Sequence, residues 1–194
     1  MKHPFLNPIL VMTIFMFIGI VMISCDINKN SSSLQLAKVY VANEEGGSVS
    51  VIDLQESLNN TSIDISDSGK MFMAHNVQVA PDGKSVWVTA VPMDSTGINQ
   101  LVVIDVNTGI IKNRVQLGKD LHVAHVVLDN ESKYAFVTAK ESNQVMQVDA
   151  TTYEVVRKFD LGTGYSPHGL RYAKGKLYVA NMDAKSMSVI NIAD

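Results

Sequence analysis

From about Ala37 onward the apolar residues come in short alternating runs, each closed by Gly, Asn, Asp or Ser. A period of two puts one set of side chains on a buried face and the other toward water, which predicts half-buried strands; no stretch sustains a helical period. The runs recur. Lys38-Val-Tyr-Val-Ala-Asn43, Ser85-Val-Trp-Val-Thr-Ala90, Tyr134-Ala-Phe-Val-Thr-Ala139 and Lys176-Leu-Tyr-Val-Ala-Asn181 carry an aromatic residue at one place: Tyr40, Trp87, Phe136 and Tyr178. After a polar turn each is followed by a second run, Ser50-Val-Ile-Asp-Leu54, Val102-Val-Ile-Asp-Val106, Met146-Gln-Val-Asp-Ala150 and Ser188-Val-Ile-Asn-Ile192. The interval is roughly 40–50 residues, the length of a four-stranded propeller blade rather than of a leucine-rich or helical repeat.

The other two strands of a blade can also be placed. Asn107-Thr-Gly109 and Thr151-Thr-Tyr153 open turns into runs ending at Gly118 and Gly162, and a segment opened by histidine, at His75, His125 and His168, precedes the last three aromatic strands. Pro81-Asp82-Gly83-Lys84 is a turn, because proline presets φ and glycine tolerates positive φ. The expected fold is all-β: about four β-propeller blades within 37–194, at approximately 37–66, 75–118, 125–162 and 168–194. Only the middle two have complete-looking material. No convincing strand precedes Lys38 and no outer strand follows the last repeat. The expectation is therefore a partial or truncated seven- or eight-bladed propeller, with self-association as the other route to covering its exposed faces.

These units resemble the YVTN-type β-propeller repeats, whose pattern runs Pro-His-Gly, then Pro-Asp-Gly-Lys, then Val-Tyr-Val-Thr-Asn and Val-Ile-Asp. Pro167-His168-Gly169, Pro81-Asp82-Gly83-Lys84, Val41-Ala-Asn43 and Val103-Ile-Asp105 carry the likeness. The superfamily also holds the haem-binding propeller of nitrite reductase and the copper-binding propeller of nitrous oxide reductase. The resemblance thus implies one rival function, an oxidoreductase-associated propeller holding copper or haem through channel histidines. One fold hosts many chemistries, so the likeness speaks to fold first.

Ahead of the repeats, a basic start at Met1-Lys2-His3 leads into an apolar stretch from Ile9 to Ile23 and then Ser24-Cys25. That order resembles a lipoprotein signal peptide over 1–24 with Cys25 as the lipidated residue, though Met22 stands where leucine is usual. An uncleaved membrane anchor is the alternative. Residues 25–36 read as a polar tether. Either way, 37–194 is expected on the far side of the inner membrane, periplasmic or at the cell surface, with the membrane as a partner through the N-terminal anchor.

Cys25 is the single cysteine, so the repeat region has neither disulfides nor thiolate chemistry. Net charge is −3, and the sixteen Lys and Arg are scattered, which leaves no footprint for nucleic acid. No acid and base pair suggests catalysis, and no motif supports a lactone hydrolase. Gly162-Thr-Gly-Tyr-Ser-Pro-His168 fits neither a nucleophile elbow nor a phosphate loop, and reads as a blade-linking loop.

The candidate site is histidine. In a propeller His75, His125 and His168 would line one mouth of the channel, with His122 able to join them as metal ligands. The plainer reading has each capping its strand and bonding the next blade's backbone. The Met71-Phe72-Met73 cluster offers soft donors nearby, although methionine more simply fills core gaps. Asp53, Asp105, Asp149 and Asn191 read as turn caps, and the four aromatics as blade packing. Two apparent insertions, Gln55 to Phe72 and Val91 to Gln100, are the expected surfaces for a protein or small-molecule partner of unknown identity. The preferred function is a non-catalytic binding or scaffolding module at the cell envelope, without cofactor.

Overall fold

A computed structural model describes residues 38–54 and 59–193; the signal, the tether and Cys25 lie outside the described residues. The described chain is all-β, with fourteen strands in four antiparallel sheets. The first blade comprises β1 (Lys38–Asn43), β2 (Ser48–Asp53) and β3 (Asn59–Asp64). The second comprises β4 (Phe72–Val79), β5 (Ser85–Pro92), β6 (Asn99–Asp105) and β7 (Ile111–Gly118). In the third are β8 (Val123–Leu128), β9 (Tyr134–Ala139), β10 (Gln144–Asp149) and β11 (Val155–Asp160). In the fourth are β12 (Pro167–Ala173), β13 (Lys176–Asn181) and β14 (Ser186–Asn191).

Each sheet is a meander in sequence order. The aromatic strand follows the innermost one in blades 2, 3 and 4, and β1 is the aromatic strand of blade 1. One supposed insertion turns out to be regular structure. Residues 59–64, inside the Gln55 to Phe72 stretch, form the outer strand of blade 1 and pair with β2 from Ser48↔Asp64 to Asp53↔Asn59. Asn-Asn-Thr-Ser-Ile-Asp carries one apolar residue, because an outer strand has little core to face. The second stretch shrinks to residues 93–98, since β5 and β6 extend into it.

The core lies between blades. Successive side chains on a strand point to opposite faces, so every inner strand serves two interfaces. Val86, Val88, Val102 and Ile104 pack toward blade 1 and meet Val49 and Tyr40. Trp87, Leu101 and Val103, one residue out of phase, pack on Val126, Val137, Met146 and Val148 of blade 3. Phe136 and Val145 in turn meet Leu170, Leu177 and Val179 of blade 4, and the Phe136 ring stacks on Tyr172 with centroids 6.2 Å apart. Each such Val or Leu burial contributes about 1.5–3 kcal/mol, which no blade could gain alone.

Polar pins join the same interfaces. Thr89 Oγ1 donates to the Ala124 carbonyl at 2.7 Å and Thr138 Oγ1 to the His168 carbonyl at 2.8 Å. Asn143 Oδ1 accepts from both Tyr165 N and Ser166 N at 2.9 Å, which holds the blade-linking loop before β12. The turn caps form at Asp105, which accepts from Asn107 N and Thr108 N, and at Asp149, which accepts from Thr151 N and Thr152 N.

Candidate functional site

The innermost strands β4, β8 and β12 run side by side. Each breaks its pairing where the histidines lie. Pairing passes from Ala74 to Asn76 in β4, from Val123 to Val126 in β8 and from Pro167 to Leu170 in β12. A bulge of this kind re-aims the side chain it carries. His75 and His168 hold matching places, two residues before Val77 and Leu170, whose partners are Val88 and Val179. His125 does not match them. It lies one residue before Val126, in the place of Asn76, while Ala124 occupies the place of His75. In a regular strand that one-residue offset would send His125 to the other face; at the bulge it still joins the group.

The rings converge. Centroids lie 5.1 Å apart for His75 and His168, 5.0 Å for His125 and His168, and 6.1 Å for His75 and His125. His122 joins from the loop before β8, 5.9 Å from His75, on a backbone with φ 44°. Positive φ is uncommon for a non-glycine residue and is held here by the Lys140 N–H bond to the His122 carbonyl. The structure thus brings all four expected histidines together, although one departs from the repeat position.

His75 is the most constrained. Its Nδ1–H donates to the Ala124 carbonyl at 3.2 Å, and its Nε2 lies 3.8 Å from Glu44 Oε1 in the β1–β2 turn. A carbonyl can only accept, so Nε2 keeps its lone pair when the ring is neutral. His125 does the opposite: its Nδ1 is buried with no hydrogen-bond partner. Asn76, at the matching place in blade 2, accepts from Val126 N at 3.1 Å.

His122, His125 and His168 resist protonation. Burial lowers the pKa of His122, aided by the charges of Lys140 and His75. Burial, then His168 and His75, brings His125 down to about 4. Burial and His75 lower His168 as well. At neutral pH these three are neutral imidazoles with lone pairs to offer. His122 also lines a cleft of about 170 Å³ with Asp94, Asp120 and Glu141, where residues 93–98 meet the loop before β8. Glu44, Asp94, Asp120 and Glu141 are turn and loop residues outside the repeat pattern, and nothing in their spacing marks them.

Imidazole suits copper or zinc by donor chemistry. As the rings stand, however, no three His, Cys, Asp or Glu groups among the described residues are disposed to hold a metal ion. The methionine cluster divides: Met71 is exposed, Phe72 is buried, and Met73 packs against the blade 2–3 core.

No family model matches the chain. Over 150 residues it is 28% identical to the uncharacterized protein YncE of Salmonella typhi, covering 77% of this chain and 39% of that one. Among solved structures it is similar to hydrazine synthase of Kuenenia stuttgartiensis, with TM-score 0.65, 18% identity, and coverage of 80% of this chain and 43% of that one. Virginiamycin B lyase of Staphylococcus aureus gives TM-score 0.60 at 13% identity, covering 80% and 52%. AztD of Citrobacter koseri gives 0.57 at 15%, covering 80% and 42%. The chain therefore spans between two fifths and about half of the length of these proteins. At such identities the structural likeness concerns the fold, and it agrees with the repeat pattern and the meander sheets: the chain is built of β-propeller repeats that resemble the YVTN type and are similar in sequence to YncE.

Proposed function

We propose that this chain is an extracytoplasmic binding module, held at the membrane through Cys25, whose ligand site is the histidine-lined mouth formed by β4, β8 and β12. The observation that carries the reading is the convergence of four of the five histidines, three of them from successive innermost strands. Burial keeps His122, His125 and His168 neutral, Glu44 stands 3.8 Å from His75, and Asp94, Asp120 and Glu141 line the cleft beside His122, where Glu141 pairs with Lys140. Lone pairs and carboxylates together suit a ligand carrying positive charge and N–H donors. The N-terminal sequence and the likeness to YncE support placement beyond the cytoplasm.

The test uses the full chain in mild detergent with histidine-labelled ring signals, titrated with putrescine and spermidine as probes. Shifts at the four rings, with those of His122 and His125 lost in the H75A/H168A variant, are the expected result; unmoved rings with both probes, or His122 and His125 shifts that persist unchanged in the variant, overturn the site. In parallel, C25S should leave the membrane fraction and lose incorporated palmitate; membrane retention with unchanged labelling overturns lipidation at Cys25.

A second reading, the copper- or haem-associated electron-transfer propeller, is favoured by the imidazole donor set alone. It requires the rings to re-aim, since their present disposition holds no metal. Protein isolated from cells without visible absorption and without bound metal by elemental analysis removes it.

A further inference from the structure

Two neighbouring blade junctions share one turn and differ in what the turn carries. The β6–β7 and β10–β11 turns make the same bonds. Gly109 N donates to the Asp105 carbonyl and Tyr153 N to the Asp149 carbonyl, both at 2.9 Å; Val106 N donates to the Lys84 carbonyl at 3.1 Å and Ala150 N to the Lys133 carbonyl at 2.9 Å. Gly109 at φ 70° and Tyr153 at φ 61° therefore hold one place. Across each junction stands the aromatic strand of the preceding blade, with Tyr40 facing the Gly109 turn and Trp87 facing the Tyr153 turn. Pairing makes these two equivalent as well, since Tyr40 aligns with Val51 and Trp87 with Val103.

Between blades 2 and 3 the place is filled. The Tyr153 ring lies by Trp87, tilted by 34° with centroids 6.0 Å apart, and packs on the core there. Trp87 is consequently 1% exposed. Between blades 1 and 2 Gly109 brings no side chain, and Tyr40 is only half-buried. A cavity of about 220 Å³ stands in that junction, walled by Tyr40, Val51 and Ile63 on one side and by Val106 and Gly109 on the other. A Cβ on Gly109 would lie 3.8 Å from Ile63 Cδ1, an ordinary contact, so the backbone leaves room for a side chain that the sequence omits. Both walls are described strands and a described turn, at the end of β1 away from Glu44 and the histidines. Neither 25–37 nor 55–58 contains an aromatic residue that could supply the ring.

We propose that this slot is a binding site for a small phenolic ligand, whose ring takes the place beside Tyr40 that the Tyr153 ring takes beside Trp87. Aromatic pairs favour tilted or offset contacts with centroids about 4.5–7 Å apart, and the blade 2–3 pair shows that this kind of junction accommodates one. The exposed Thr61 and Asn107 offer the ligand's hydroxyl hydrogen-bond partners at the opening. The inference is independent of what the histidine mouth binds.

The probe is p-cresol, which is the tyrosine side chain cut free. Titrated into the methyl-labelled full chain in mild detergent, it should give saturable shifts at the Val51 and Ile63 methyl groups and intermolecular cross-peaks from its ring to Ile63. G109Y, which copies blade 3, should fill the slot and abolish both. Y40L keeps that wall apolar, removes the ring, and should weaken binding while methyl dispersion reports an intact fold. A wild type without saturable shifts overturns the proposal. So does binding that a folded G109Y or a folded Y40L leaves unchanged, and so does equal affinity for 4-methylcyclohexanol, the saturated form of the probe, which would make the slot a general apolar gap.

Discussion

Thr138 links fold and site most directly. Its hydroxyl is fully buried, accepts from His125 N at 2.9 Å and donates to the His168 carbonyl at 2.8 Å, and so ties two of the converging histidines through their backbones. Thr138→Val keeps the shape and removes the oxygen, leaving an N–H and a C=O in the gap between blades without that partner. Each orphaned group costs about 1–3 kcal/mol, so the pair should lower stability by about 2–6 kcal/mol. Thr138→Ser keeps the hydroxyl and loses one methyl group, for about 1 kcal/mol. Thr89→Val should behave like Thr138→Val, since Thr89 accepts from Asn76 N at 2.9 Å and donates to Ala124 at 2.7 Å. Urea titration reads the effect as a lower midpoint at unchanged m, and thermal melting as roughly 2–4 °C for each kcal/mol. A Val variant within about 0.5 kcal/mol of wild type, or a Ser variant as damaging as Val, would refute the pinning argument.

Protonation gives a second expectation. His122, His125 and His168 bind protons less readily folded than unfolded, so their contribution is complete above the ordinary value of 6.5 and declines as pH falls toward about 4. Denaturation midpoints between pH 7 and 4 should show that slope, and H125N, which copies Asn76 of blade 2, should flatten it; a pH-independent midpoint contradicts the burial assignment. Gly47 lies at φ +57°, and a Cβ there would be 2.6 Å from the Phe72 carbonyl oxygen, so G47A should lose about 1–3 kcal/mol by urea titration, with a neutral result counting against that close approach. N143A removes the acceptor for Tyr165 N and Ser166 N and should lose about 2 kcal/mol, while N143D, which keeps an acceptor, should lose less by the same assay.

The blades were legible because their inner strands repeat strongly. Tyr40, Trp87, Phe136 and Tyr178 recur with Asp or Asn at the end of the next strand, and burial on both faces fills those strands with Val, Ile and Ala. The outer strand of blade 1 was not legible, since an edge strand with one face in water needs few apolar residues, and Asn59-Asn-Thr-Ser-Ile-Asp64 reads as a loop. The histidines were half legible. Their recurrence points to one mouth, but simple periodicity aligns His125 with His75 and His168, whereas the bulges move it to the place of Asn76. A bulge depends on pairing with the neighbouring strand, which a single strand's sequence does not encode. Glu44, Asp94, Asp120 and Glu141 lie in turns whose positions follow from the blades around them, so no spacing revealed them.

Everything functional depends on the innermost strands placing distant histidines against one another. Through-space NMR between histidine ring protons tests this directly, because His75 and His168 belong to blades 2 and 4 and their rings are 5.1 Å apart. Cross-peaks between His75 and His168 and between His125 and His168, lost in the H168A variant, are expected. Resolved ring signals without either cross-peak would contradict the radial arrangement and the site built on it.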